Sequence, residues 1–180
     1  PNTDVFNKLK LKINKYDNIE ALNFGAGNLD QDKKLNINIE SSSSSLNNLE
    51  ENSKYFKKKF FLSKLLNKKI IEKQVQVKII KLDNFINNNP NIDIIDILKI
   101  DTEGYEYYVL KGIENNLKKI KVIYFEHHFD DMIIKNYNLT DIHNYLLKNN
   151  FKKFFKIKMK FRKSFEYIYI NNQFFNWNNF

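Results

Sequence analysis

The chain has 180 residues, 42% of them hydrophobic and 15% aromatic, enough to bury the core of one folded domain and too apolar for a disordered chain. It contains no cysteine, which excludes a disulfide framework and any thiolate metal site. The formal net charge of +9 invites a polyanion partner, yet nearly all of it is lysine, Arg162 being the single arginine. A matching excess of Asn, Ile, Phe and Tyr points to AT-rich codon usage, and phosphate or guanine recognition favours the arginine fork, so no specific nucleic-acid partner is expected. No apolar stretch reaches the roughly 18 residues of a membrane span. With no leader visible, a cytoplasmic location is expected.

Val5, Phe6, Leu9 and Ile13 share a helical face, which predicts a helix from Thr3 to Asn14. A short strand is expected at Ile19–Phe24, stopped by a turn at Gly25-Ala26-Gly27-Asn28. Leu35, Ile37 and Ile39 alternate as a second strand. Ser41 to Ser45 read as a flexible loop or as a loop bordering a substrate entrance. Lysine-rich residues 53–73 read as a helical insertion, its apolar spacing running from Tyr55 to Ile71.

Val75, Val77 and Ile79 alternate as a strand, and Leu82, Phe85 and Ile86 make a helical turn. Ile94–Ile100 is a buried, parallel type of strand ending at Asp101. Tyr105, Val109, Leu110 and Ile113 then take helical spacing, with Leu117 extending it. Val122–Phe125 is a strand ending at Glu126, His127 and His128. A helix over Thr140–Lys148 follows, and strands near Phe151–Met159 and Phe165–Ile170 form an antiparallel hairpin at one edge. The aromatic tail of Phe174, Phe175, Trp177 and Phe180 reads as an interaction surface or as a locally packed or fraying end.

Strands alternating with helices indicate a single α/β domain, and ligands in such sheets collect beyond the carboxyl ends of the strands. Three such ends carry polar or special residues: Gly25–Gly27, Asp101–Gly104 and Glu126–His128. Asp101, Glu126 and His127 are candidates for a general base or for holding a substrate, and Glu103 for orienting it. Glu103 is equally readable as a charge in the first turn of the following helix, where the macrodipole favours it. Neighbours on a strand end point oppositely, so at most one of His127 and His128 is expected to face the site. Glu106 reads as a surface or supporting residue, Gly104 and Gly112 as turn formers and His143 as surface. Asp101, Glu126 and His127 are also of the ligand type that suits Mg²⁺ or Mn²⁺, although their separation along the chain argues against a metal site.

Lys99-Ile100-Asp101-Thr102-Glu103-Gly104-Tyr105-Glu106-Tyr107-Tyr108-Val109-Leu110-Lys111-Gly112 resembles the K-I-D-x-E-G-x-E-x-x-V-L-x-G signature of FkbM-type methyltransferases. Leu82–Ile86 is similar to that family's L-D-D-F-I turn, Val122–Glu126 to its strand ending in glutamate, and Asn23–Asn28 to the segment after its third strand. Pro1-Asn2 resembles the end of its E-P-N. The resemblance implies S-adenosylmethionine as cofactor, with Asn2, Gly25 and Ala26 on the adenine side. It also implies an O-methyltransferase acting on a hydroxyl of a sugar, glycan or secondary metabolite. The implied fold is a Rossmann-like class I sheet, mostly parallel with a C-terminal antiparallel hairpin, here lacking the first two strands and the D-x-G-A-N-x-G loop. That departure leaves a second expectation open: a non-catalytic, truncated domain that binds a glycan or a protein.

Overall fold

The computed structural model describes residues 1–38, 44–65, 71–129, 131–159 and 163–175. Helix α1 (Thr3–Ile13) begins because the Asn2 side chain accepts hydrogen bonds from the amides of Asp4 (3.1 Å) and Val5 (3.5 Å). None of its residues is buried; it is tied down by the Lys73–Asp4 ion pair at 2.9 Å and by Asn23 donating to Thr3 Oγ1 at 3.4 Å.

The strand expected at Ile19–Phe24 is absent, and the glycine stretch expected as its terminating turn is itself strand β1 (Gly25–Gly27). Strand β2 (Gln31–Asn38) runs antiparallel to β3 (Ile71–Lys81), while β1 lies parallel on the other side of β3 with Gly25 opposite Ile79. Leu35, Ile37, Val77 and Ile79 form a small core of their own here.

Between β2 and β3, α2 (Lys54–Leu65) starts where Ser53 Oγ accepts from the Phe56 amide at 3.0 Å. The helical insertion expected over 53–73 therefore ends early: Ile71–Lys73 already belong to β3, and 66–70 lie outside the described residues, as do Ser41–Ser43, Trp177 and Phe180.

Helix α3 (Leu82–Asn87) carries a buried Asp83 whose two oxygens accept from the backbone and side-chain amides of Asn115 and Asn116, at 2.9 to 3.3 Å. That carboxylate fixes the 3₁₀ turn Glu114–Lys119 at the foot of the next strand. The second sheet comprises β4 (Ile95–Ile100), β5 (Ile120–His128), β6 (Phe151–Lys158) and β7 (Ser164–Asn171), in the order β4-β5-β7-β6. β4 and β5 are parallel and β7 is antiparallel to both β5 and β6, so β7 alone is reversed, and the closing hairpin lies at the sheet edge as expected.

Helices α4 (Glu106–Gly112) and α5 (Leu139–Lys148) cover one face, burying Val109, Leu110, Ile142 and Leu146 with Ile123, Phe125 and Tyr169 of the strands. α5 opens with a capping box between Asn138 and Asp141, which satisfies donors at its first turn.

The single, mostly parallel sheet expected from sequence is thus corrected to two sheets with three antiparallel pairings among five. β3 pairs with β1 and β2, and β4 with β5, in separate sheets. The coarser expectation, an α/β fold, holds. Among the described residues no helix is long and apolar enough to cross a membrane.

Candidate active site

β4 stops at Ile100, in register with Phe125 of β5, so Asp101 lies one step beyond the strand, level with the Glu126 position. Its side chain is 47% exposed and sits 3.5 Å from Lys99 Nζ, a rim position. The chain then turns through two left-handed residues, Glu103 at φ +50° and Gly104 at φ +97°. The first costs about 1–2 kcal/mol for a residue with a side chain. The second needs glycine, because a Cβ there would also stand 2.7 Å from Ile133 Cγ2.

Four hydrogen bonds hold this turn. Glu106 Oε1 accepts from the Gly104 amide at 2.8 Å and from Thr102 Oγ1 at 3.1 Å. Ser45 Oγ donates to the Glu103 carbonyl at 2.7 Å, and Asn47 Nδ2 to the Gly104 carbonyl at 2.5 Å.

Two expectations change here. Glu103 precedes α4 and is not in its first turn, so the macrodipole reading does not apply to it; Glu106 occupies that position. Glu106 is only 1% exposed, a core residue and not a surface one, and its Oε2 accepts from Tyr137 OH at 2.7 Å. Burial, then the Glu106 charge, raise the Tyr137 pKa, so its hydroxyl stays a donor.

The turn delivers Glu103 Oε2 to 3.2 Å from His128 Nε2, and Glu126 Oε1 stands 3.5 Å from the same nitrogen. All three groups are largely buried, and Glu126 Oε1 has no hydrogen-bond partner among the described residues. Lys135 donates to the His128 carbonyl, pinning the end of β5 under the following loop.

Strand alternation puts His127 on the other face, with its ring edge-on to Phe129 at 4.9 Å and 6.2 Å from Tyr137. Burial first, then the charges of Lys135 and His128, lower its pKa to about 4, so it is neutral at pH 7. The sequence placed His127 beside Asp101 and Glu126; the geometry brings His128 to the carboxylates instead. The signal was present, since Glu126 and His128 are two apart and share a face. Tyr137 and Asn47 went unassigned, and no sequence pattern marks their contacts.

Two glycine and histidine readings are corrected as well. Gly112 is no turn: it ends α4 against β1, where a Cβ would fall 1.8 Å from the Gly27 carbonyl oxygen. His143 is half-buried, with Nδ1 2.9 Å from Tyr169 OH.

Among the described residues no group of three or more His, Asp or Glu is arranged to hold a metal ion. Asp101, Glu126 and His127 are divided between the exposed rim and opposite faces of β5. The positions expected to meet S-adenosylmethionine are each engaged within the protein. The Asn2 amide oxygen is engaged in capping α1, the Cβ direction of Gly25 is filled by Ile79 Cδ1 at 2.6 Å, and Ala26 packs on the core. None of them carries a buried polar atom lacking a partner, whereas β5 does.

Comparisons with curated proteins and with solved structures returned no match. The family described as the Methyltransferase FkbM domain matches residues 1–153, a span that takes in α1, both sheets' parallel pairs and the whole Glu103–Glu126–His128 cluster. The chain belongs to the FkbM methyltransferase family.

Proposed function

We propose that the chain is an S-adenosylmethionine-dependent O-methyltransferase acting on a hydroxyl of a sugar, glycan or secondary metabolite, and that its described residues carry the acceptor side of the site. The observation that carries this reading is the convergence of Glu103, Glu126 and His128 at the ends of β4 and β5. A Rossmann-like parent sheet is supported by the order β4-β5-β7-β6 with β7 alone reversed, the half-sheet that a terminal antiparallel strand requires.

The cofactor's chemistry is a methyl already activated on a sulfonium. What remains for the protein is alignment, worth about 7–11 kcal/mol, and removal of the acceptor's proton, worth roughly 10²–10⁴-fold. Glu126 Oε1, without a hydrogen-bond partner among the described residues, accepts the hydrogen bond of the acceptor hydroxyl and receives its proton as the oxygen turns nucleophilic. His128 stands between the two carboxylates and shares that proton, with Glu103 orienting its ring. Asp101, half-exposed on the rim, meets the acceptor's outer hydroxyls.

Calorimetric titration of S-adenosylhomocysteine, followed by transfer of a radiolabelled methyl to a panel of hydroxyl acceptors, tests the assignment. The expected result is binding, turnover, and a fall in kcat of about 10²-fold for Glu126→Gln with product affinity unchanged. A second reading, a non-catalytic domain that binds a glycan or a protein, is favoured by the engagement of Asn2, Gly25 and Ala26 within the protein. Glycan binding without S-adenosylhomocysteine binding or turnover would overturn the first reading in favour of the second.

A further inference from the structure

The carboxylate of Glu106 touches none of the groups placed around the acceptor, yet it is the most enclosed acid near them, 1% exposed and with both oxygens in use. Its partners come from separate segments. Oε1 takes the Gly104 amide and the Thr102 hydroxyl, both in the turn that follows β4. Oε2 takes the hydroxyl of Tyr137, which closes the loop between β5 and α5. That same loop carries Lys135, which donates to the His128 carbonyl, and Ile133, which fills the space beside Gly104.

One buried carboxylate therefore joins the segment that presents Glu103 to the segment that covers His128. The left-handed backbone at Glu103 and Gly104 is met by three of the bonds at that turn: the Glu106 bond to the Gly104 amide, and the Ser45 and Asn47 bonds to the two carbonyls. A left-handed pair exposes successive amides and carbonyls that need such partners.

We propose that Glu106 is the positioning residue of the site, a clamp that sets the Glu103–His128 contact by locking the turn after β4 to the loop after β5. The proposal rests on the acceptor reading given above, and it concerns how that pair is held. Glu106 acts through Glu103 and His128; it neither meets the acceptor nor takes its proton.

A double-substitution cycle separates this role from a general structural one. Glu106→Gln keeps the volume and one acceptor oxygen but cannot receive a hydrogen bond at both ends. In the natural background it should lower kcat about 10- to 100-fold, the cost of a displacement near 1 Å at a reacting group, with KM little changed. In a Glu103→Gln background, where the contact is already broken, the same substitution should lower kcat less than about twofold. Glu106→Asp, retaining the charge at shorter reach, should restore part of the loss.

A second readout needs no turnover. The chain has 3 histidines, so ring cross-peaks in a ¹H–¹³C spectrum are assignable by substituting His127 and His143. Glu106→Gln and Glu103→Gln should displace the His128 peaks in the same direction while His143 stays fixed. Equal kcat losses in both backgrounds, or an unmoved His128 peak in folded Glu106→Gln, would overturn the clamp. If methyl transfer is not found at all while the His128 peaks still move together, the clamp stands and the acceptor reading fails. Should Glu106→Gln not fold, Tyr137→Phe removes the Oε2 partner alone and is expected to displace the His128 peaks likewise; unmoved peaks there would overturn the proposal.

Discussion

At His127 a ring nitrogen, Nδ1, is buried without a hydrogen-bond partner among the described residues, and the pKa falls from 6.5 to about 4, mainly through burial. An unfolded chain protonates this imidazole near its ordinary value, so between those two pH values the unfolded state binds the extra proton. The neutral ring thus contributes stability that is fully present above about pH 6.5 and is lost as pH falls toward and through 4, about 3 kcal/mol in all. His127→Phe, a change of similar shape beside Phe129 and Tyr137, should flatten that slope, read as urea midpoints from pH 7.5 to 4. Identical slopes in both proteins would mean that the ring charges in place. The placing of Asp101, Glu103 and Glu126 at or just beyond the ends of β4 and β5 was legible because a dense signature and the end of each apolar run mark those positions. His128 was not, because composition at a strand end does not say which of two adjacent histidines faces inward; only the two-residue step from Glu126 does. For Glu106 the sequence left a surface and a supporting reading open, because a carboxylate at helical spacing looks solvated until its three donors are known.

Elements were legible where side chains alternate or recur, as in β2, β3, β4 and α5, and illegible where they do not. A glycine strand has no pattern to read, so β1 was taken for a turn. β5 was read as ending sooner because Glu126, His127 and His128 are polar, yet all are buried within the strand. The same scarcity of side chains lets α4 come against β1: the Cβ of alanine at Gly112 would stand 1.8 Å from the Gly27 carbonyl oxygen, backbone against backbone. Neither side can yield as a flexible side chain would. Gly112→Ala should therefore destabilise by about 2–3 kcal/mol or prevent folding, measured as the shift in urea midpoint. Asn138→Ala, which removes half of the α5 capping box, should cost only about 1 kcal/mol in the same assay. A larger loss for the cap than for the glycine would contradict the view that α4 is seated by backbone contact.

For the molecule as a whole, α4 and α5 pack on one face of the second sheet, and among the described residues part of the opposite face stays exposed. Ile97 opposes Val122, Tyr124 opposes Ile168, and Ile168 opposes Phe155, a row on the face opposite Ile123 and Phe125. Ile97 and Phe155 are 64% and 54% exposed, and Val122, Tyr124 and Ile168 are partly so. β4 is an edge of this sheet, and among the described residues its other side has no strand partner. An edge of free amides and carbonyls next to an apolar face is a template for a second chain, and the charges that ordinarily blunt such an edge are limited here to Asp96 and Lys99, each already in an ion pair. The chain should therefore self-associate, its apparent mass by light scattering rising with concentration, by pairing β4 to β4 between copies. Ile97→Lys places a charge in the middle of that edge and removes the most exposed apolar side chain of the row. It should shift the equilibrium toward monomer at least about tenfold, for a change of about 1.4 kcal/mol, without altering the thermal midpoint at low concentration. A wild-type chain that stays monomeric at high concentration would show instead that the twist and the two ion pairs suffice to protect the edge.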